Sequence, residues 1–409
     1  MKICMLTYRG NPFSGGQGVY VSNLAEALSA LGHEVHCVSG PPYLLPMKGV
    51  TCHRVPGLLL FGENGGYPPP DRPLSAFTPL NFFEKAAFHA GIFPEMTTFS
   101  LRAFRAVRTL LRRHRFDVIH DNQTLGWGLL PLKLLGVPLV ATIHHPLTVD
   151  RLRGFEPPTT FGKQFHRTIF FPVGMQGVVA RRVAHVITVS EASAREIESQ
   201  FRIPPERITV VYNGVDAEKF RPQRGSKPVP GRILFVGNIE DPNKGGIFLL
   251  RALAQLPPPA HLVISTGGVS DRPAFDDLLR QLGVAERVTL HTRMAGEPLV
   301  RLFATAEVAV SPSIFEGFGF PAVEAMACGV PLVAADGGAL PEVVGKAAIV
   351  VPARDPGALA TALGEVLASP ALRKKLALAG RRRVIKRFRW DTAAVQVADV
   401  YRKVISAHR

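Results

Sequence analysis

Cysteine is scarce in this chain: four residues in 409, Cys4, Cys37, Cys52 and Cys328, none in a CxxC or CxxxC spacing. Cys4, Cys37 and Cys328 sit in or near apolar runs, which predicts buried free thiols and a reducing compartment. Sustained apolar runs are also missing. The most apolar long stretch, Leu125 to Ile143, is interrupted by Pro131, Lys133 and Pro138, so it reads as a loop, a helix and a buried strand. The N-terminus, Met1 to Arg9, lacks an h-region and a small-residue cleavage site, so a short strand is expected there rather than a signal peptide. No short-period repeat or low-complexity tract is present. Acidic residues are few beside basic ones, 32 against 48, leaving a net charge of +16. That balance favours an anionic partner such as nucleic acid, lipid head groups or nucleotide phosphates, without choosing among them.

What is present points to a folded, two-domain α/β protein. The length exceeds what one hydrophobic core usually supports. Hydrophobic content of 46% with 20% charge fits a folded chain, and 38 glycines and 35 prolines suit many short turns. Apolar β-branched runs alternate with amphipathic stretches, the pattern of a parallel α/β architecture. Strands are expected at 3–7, 35–38, 118–120, 139–143, 185–189 and 208–211, with a helix over 19–31 after the first. The pattern restarts at 233–236 and continues at 262–265, 288–290, 308–310, 331–334 and 349–351. Between the halves, the stretch from Arg221 to Gly231 is rich in Pro, Gly and charge and reads as a linker. The expected fold is therefore two Rossmann-like, doubly wound domains facing across a cleft, residues 1–220 and 221–389, with ligands at the carboxyl ends of the strands. Residues 41–100, including Pro68-Pro69-Pro70, read as an irregular insertion.

Four segments carry candidate chemistry. In Ser14-Gly15-Gly16-Gln17-Gly18-Val19-Tyr20-Val21, glycines would let backbone N–H groups approach an anion at a helix N-terminus. Val21 stands where GxGxxG needs its third glycine, and no acidic ribose ligand follows the second strand. Both argue against a dinucleotide site; a tight turn without ligand competes with the anion reading. Thr142-Ile143-His144-His145-Pro146 ends an apolar strand, where His144 would contact a sugar hydroxyl or a reacting group. A loop histidine facing solvent is the plainer alternative. Adjacent histidines diverge and no further ligand cluster is evident, so zinc is not expected there.

The third segment runs from Phe235 to Gly246 and contains Asn238 and Lys244. Lys244 is placed to neutralise a departing phosphate, although a surface lysine at a helix start explains it equally well. The fourth is Ser313-Ile-Phe-Glu316-Gly317-Phe318-Gly319-Phe-Pro-Ala-Val-Glu324, with seven residues between the two glutamates. Gly317 and Gly319 would allow close approach to a diphosphate. Pro321 starts a helix that carries Glu324 inward, where ribose hydroxyls would offset its desolvation.

With these segments in this order, the chain resembles the family-four retaining glycosyltransferases, whose signature is an EX7E motif. Val189-Ser190-Glu191, Asn213-Gly214-Val215-Asp216 and Gly337-Gly338-Ala-Leu-Pro341-Glu342 extend the resemblance over nearly the whole chain. It implies that Glu324 binds ribose, and that Glu316 with the amides of Gly317, Phe318 and Gly319 holds the donor sugar and diphosphate. It further implies that Lys244 stabilises the leaving group and that His144 contacts the donor sugar as a positioning group. The loop with Gly16 and Gly18 would close over the phosphates or meet the acceptor. The family often has Arg where this chain has Asn238, with Arg293 a conceivable substitute. By the same resemblance no metal or other cofactor is needed: the nucleotide-diphosphate sugar is a substrate, and the leaving phosphate accepts the acceptor's proton.

The acceptor is less defined. The stretch from Phe99 to Arg115 carries six arginines and no acid, with 101, 104, 107 and 111 on one apolar face. Docking on anionic lipid and packing on its own sheet with a solvated basic rim explain it equally well. A second basic cluster spans Arg373 to Arg389 and reads as a solvated face before a final helix, Thr392 to Ala407, within a tail (390–409) that would return to the first domain. A hydroxyl acceptor that is lipid-linked or part of an envelope glycan is favoured, a soluble one stays open, and nucleic acid is not expected. The corresponding location is cytoplasmic, or peripheral on the inner face of a membrane. Competing functions are a sugar-nucleotide 2-epimerase and a non-catalytic anion- or membrane-binding protein on a degenerate scaffold.

Overall fold

The computed structural model describes residues 1–10, 16–58, 60, 77–147 and 173–408. Ser14, Gly15 and the triple proline at 68–70 lie outside the described residues. The chain divides into two compact units, Met1–Val211 with Asp391–Arg409, and Tyr212–Trp390.

The first unit is built on a parallel sheet of β1 (Lys2–Thr7), β2 (Glu34–Ser39), β3 (Val50–Arg54), β4 (Val118–Asn122), β5 (Leu139–Ile143), β6 (His185–Thr188) and β7 (Ile208–Val210). Among the described residues its order is β3-β2-β1-β4-β5-β6-β7. Central strands are buried throughout: Ile3, Cys4, Met5 and Leu6 of β1 are all sealed from solvent, and β4 buries even its polar His120, Asp121 and Asn122. Strand order reverses between β1 and β4, where Ile3 pairs with Val118 and Leu6 with Asp121. The carboxyl ends of these two strands therefore form the switch point at which such sheets bind ligands.

Three helices of this unit matter for the site and its surroundings: α1 (Gly16–Ala30), α2 (Pro79–His89) and α3 (Glu95–Leu110). Helix α1 begins earlier than expected, so Gly16 and Gly18 lie in its first turn rather than in the preceding loop. The described residues of the stretch 41–100 are more regular than its composition suggests. It contains β3, which is largely exposed and so offers no apolar run to read, and it contains α2 and the start of α3.

Helix α3 buries Met96, Phe99, Ser100, Ala103 and Val107, whereas Leu101 is exposed. Of the expected 101, 104, 107 and 111, Val107 is buried and Phe104 and Leu111 pack partly buried against the core; only Leu101 turns out, since the small residues Ser100 and Ala103 bring the other side of the helix into close approach. Gly128 shows how close that approach is: a Cβ there would sit 2.2 Å from the carbonyl carbon of Ser100.

The second unit carries β8 (Arg232–Val236), β9 (His261–Thr266), β10 (Val288–Thr292), β11 (Val308–Ser311), β12 (Leu332–Ala335) and β13 (Ile349–Val351). Described strands run in the order β10-β9-β8-β11-β12-β13, all parallel, with the switch point between β8 and β11. Helices α4 (Gly246–Gln255), α5 (Phe320–Ala327) and α6 (Pro370–Arg387) pack in this unit. The segment Arg221–Gly231, expected as a linker, falls inside it.

Helix α6 is less solvated than its charge suggests. Arg381 donates to the carbonyls of Phe220, Ala327 and Ala217, and Arg383 to those of Val343 and Glu342. Arg373 caps Val366 and Leu367 and pairs with Glu307. Lys374, Lys375, Arg382, Lys386 and Arg387 are exposed. The last helix, α7 (Trp390–His408), belongs to the first unit from Asp391 onward. Its fully buried Tyr401 hydroxyl lies 2.5 Å from His120 Nδ1 on β4.

All four cysteines are free, with Cys4, Cys37 and Cys328 buried and Cys52 exposed. No described helix is long and apolar enough to cross a membrane.

Candidate active site

In the second unit, adjacency of β8 and β11 brings together residues far apart in sequence. The turn after β8 ends in a short 3-10 helix, Pro242–Lys244, capped by the Asp241 carboxylate, which accepts from the Asn243 amide at 2.9 Å. The Asn243 carbonyl in turn accepts from the Ile314 amide at 2.8 Å, tying this turn to the one after β11. As a result Lys244 Nζ lies 2.5 Å from Glu316 Oε1. Ser313 Oγ donates to the same oxygen at 3.1 Å. Glu316 is buried and Lys244 half-buried, so each offsets the other's desolvation, and both are aligned before any ligand arrives.

Two glycines make this contact sterically possible. Gly245 has φ of +68°, and a Cβ there would meet the Pro312 carbonyl oxygen at 2.1 Å. Gly338 has φ of +60°, with the Glu316 carbonyl oxygen 2.4 Å from where its Cβ would be. That same carbonyl accepts from the Ala339 amide at 2.9 Å. The Gly337-Gly338 pair is thus a packing requirement of the Glu316 turn. Its neighbour Glu342 accepts from the Tyr212 hydroxyl at 2.9 Å.

Gly319, at φ of +91°, precedes α5. Glu324 lies on the second turn of that helix, between buried Val323 and Ala325. Its half-buried carboxyl is pushed up to about 7 by burial, with exposed Lys219 acting in the opposite direction. Asn238 is exposed, and its Oδ1 accepts from the Glu240 amide at 3.1 Å. Arg293 follows β10, two strands from β8.

In the first unit, His144 follows β5 and is held from several sides. Its Nε2 donates to Asn122 Oδ1 at 2.9 Å, and its amide donates to Gln123 Oε1 at 2.6 Å. Its carbonyl accepts from Ser193 Oγ at 2.7 Å. The Tyr20 ring stands edge-on to the imidazole at 4.8 Å, and Tyr20 Oη lies 2.9 Å from Thr142 Oγ1. Burial, then the neighbouring His145 and His120, pull the His144 imidazole down to about 3. It is therefore a neutral hydrogen-bonding group at working pH, a poor proton acceptor and not a cation.

Asn122 Nδ2 reaches towards Thr7 Oγ1 and the Gln17 carbonyl, at 3.4 and 3.5 Å, so it links the switch point, the first turn of α1 and His144. The sequence motifs assign no role to Asn122, Gln123, Ser193 or Ser313. A signal existed for the first two, since both sit at the carboxyl end of a strand beside the switch point. Ser193 acts through a tertiary contact that no local pattern reveals, and Ser313 through the fold of its own turn onto Glu316.

Residues 14–219 match the model for Glycosyltransferase Family 4, and residues 230–369 match the model for Glycosyl transferases group 1. The chain is 41% identical to MMP alpha-(1->4)-mannosyltransferase of Mycolicibacterium hassiacum, across 99% of both chains. The chain belongs to glycosyltransferase family 4. A D-inositol 3-phosphate glycosyltransferase of Xylanimonas cellulosilytica is 32% identical over 98% of this chain and 96% of its own.

Among solved structures, sucrose-phosphate synthase of Thermosynechococcus elongatus superposes with a TM-score of 0.76 at 23% identity, covering 99% of each chain. Anabaena HepE in complex with UDP and glucose gives 0.70 at 19% identity, over 98% of this chain and 100% of its own. These structures share the fold, two Rossmann-like domains of the GT-B class. The family 4 enzyme transfers a sugar, and the epimerase and non-catalytic readings fall away.

Proposed function

We propose that this family 4 enzyme transfers a mannosyl group from a nucleoside-diphosphate mannose to a hydroxyl acceptor, with retention and without a metal ion. The observation that carries the reading is the Lys244–Glu316 pair at the β8/β11 switch point. Lys244 supplies the positive charge that a developing diphosphate needs, in a half-buried setting where it counts for more than in water. Glu316 holds that ammonium in place before the donor arrives, and the donor sugar would then share both groups. Amides of Gly317, Phe318 and Gly319 would add donors to the diphosphate, and Glu324 would accept from ribose hydroxyls. His144, neutral and fixed by Asn122 and Gln123, would position the sugar. The acceptor hydroxyl gives its proton to the departing phosphate oxygen as its own oxygen forms the new glycosidic bond. Mannose and an α-(1→4) linkage are carried over from the 41%-identical relative's name.

A second acceptor class is favoured by charge. The net charge of +16 and the 32%-identical relative named for D-inositol 3-phosphate suit a phosphorylated cyclitol or another anionic acceptor. Peripheral binding on the inner face of a membrane, with a lipid-linked acceptor, would use exposed Arg105, Arg108, Arg112, Arg113 and Arg115. Salt-sensitive flotation with anionic vesicles supports that docking, and sedimentation away from them rejects it. The function itself is tested by offering GDP-, UDP- and ADP-mannose in chelator with a mannoside or inositol phosphate. Transfer from one donor class supports the reading; transfer only after Mg²⁺ or Mn²⁺ is added rejects metal independence.

A further inference from the structure

The opposite end of the first unit's sheet carries a cluster that sugar transfer does not use. Glu34 opens β2, His36 stands two residues on, and His114 lies in the connection from α3 to β4. One ligand atom from each lies within 4.8 Å of the other two. His36 Nε2 and Glu34 Oε1 are 3.0 Å apart, and the His36 ring is buried with its centroid 4.6 Å from that of His114. This end of β2 is the amino end, whereas His144 follows the carboxyl end of β5 in the same sheet.

We propose that Glu34, His36 and His114 form a binding site for Zn²⁺ or a similar borderline transition-metal ion, separate from the donor site. Two imidazoles and one carboxylate, with water as the fourth ligand, are a donor set that zinc accepts. Ligand atoms of a tetrahedral zinc with bonds of about 2.0–2.1 Å stand roughly 3.3 Å apart. The Glu34–His36 separation already suits that spacing. The remaining adjustment, from at most 4.8 Å, falls to the partly exposed His114 ring and the exposed Glu34 side chain.

The supporting contact is also built. His36 Nδ1 lies 2.9 Å from His53 Nε2 on β3. Without the metal, His36 Nε2 donates to the Glu34 carboxylate; on metal binding the proton would sit on Nδ1 and be donated to His53, leaving the Nε2 lone pair for the metal, as metal-bound histidines usually arrange. Phe116 packs edge-on to the same ring at 5.2 Å and fixes its plane.

One group opposes the ion. Lys2 Nζ lies 2.7 Å from Glu34 Oε1, so its ammonium occupies the carboxylate oxygen that a metal would take. This competition makes the site testable in both directions. Titrating the untagged, metal-stripped full chain with Zn²⁺ by calorimetry should give one site per chain. His114→Ala should weaken it at least tenfold, and Lys2→Met should tighten it severalfold. Turnover of both variants should match wild type, because the donor site lies elsewhere. Thermal melting with and without Zn²⁺ provides a second readout: the upward shift should be lost in His114→Ala and enlarged in Lys2→Met. The proposal is overturned if no one-per-chain binding appears below about 100 µM, or if His114→Ala binds like wild type, leaving adventitious surface coordination only. Unchanged affinity in Lys2→Met also rejects the assigned ligand Glu34.

Discussion

Lys244 Nζ and Glu316 Oε1 stand 2.5 Å apart although 72 residues separate them in sequence. The contact exists because β8 and β11 are neighbours and because the Asn243 carbonyl ties the two following turns together. A cation held in this way needs little reorganisation when a diphosphate departs, which is where preorganised charge is most effective.

Lys244→Ala should therefore lower kcat by roughly 100- to 1,000-fold while changing donor binding much less. Steady-state kinetics with calorimetric donor binding separates the two. Equal loss in kcat/KM and in donor affinity, with kcat preserved, would remove Lys244 from the leaving-group role.

Glu324 provides a pH prediction. Its carboxyl is raised to about 7 by burial, and a ribose that donates two hydroxyl hydrogens favours the ionised form. Donor affinity should thus increase as pH rises through about 7, with close to tenfold loss per unit below it. Glu324→Gln should bind more weakly and flatten that profile. A wild-type affinity that is constant between pH 6 and 8 would contradict the ribose assignment.

The buried histidines make stability, rather than donor affinity, depend on pH. Burial lowers His120 to about 3, and His144 is also held at about 3. Their contribution is complete above the ordinary value near 6.5 and is lost as pH falls from there towards 3, because only the unfolded chain takes up the protons. Buried Asp121, raised to about 7 by its surroundings, and Glu95, likewise about 7, work against this over part of the range. The difference between wild type and His120→Gln isolates the histidine. Denaturant unfolding should show that the variant loses less stability than wild type between pH 7.5 and 5; equal losses would contradict a neutral, buried His120.

Helix α3 separates buried from exposed arginines. Arg102 Nη2 donates to Glu84 Oε2 and to Asn81 Oδ1, and both members of the ion pair are almost sealed from solvent. Arg102→Ala leaves Glu84 as an uncompensated buried carboxylate and should cost about 3–5 kcal/mol. Arg105→Ala and Arg108→Ala, on the exposed rim, should stay within about 0.5 kcal/mol of wild type. Chemical denaturation of the three variants tests this. Similar small effects at all three would mean that Arg102 is solvated.

The fold was legible wherever strands were apolar and buried, as at β1, β5, β8 and β11, since a parallel sheet covered on both faces leaves continuous apolar runs. Edge strand β3, Val-Thr-Cys-His-Arg, was not, because an exposed edge has no such run. The positions of Lys244, Glu316 and His144 after the carboxyl ends of strands were legible too. Their partners were not. Asn122 and Ser313 become meaningful only through hydrogen bonds to residues 22 and three positions away. The arginines of α6 misled for a related reason: long side chains can bury their stems and cap carbonyls, and composition does not reveal which ones do. The metal-ligand cluster was hidden because only tertiary structure brings His114 to Glu34 and His36.

The product of the wild-type enzyme working in chelator tests retention at the Lys244–Glu316 site most directly. After incubation with a nucleoside-diphosphate mannose and a mannoside acceptor in EDTA, the new anomeric signal can be read by NMR before any equilibration. An α-anomeric product, formed by wild type and lost in Lys244→Ala, is the result expected from retention at the Lys244–Glu316 site. A β-anomeric product, or transfer undiminished in Lys244→Ala, would contradict it.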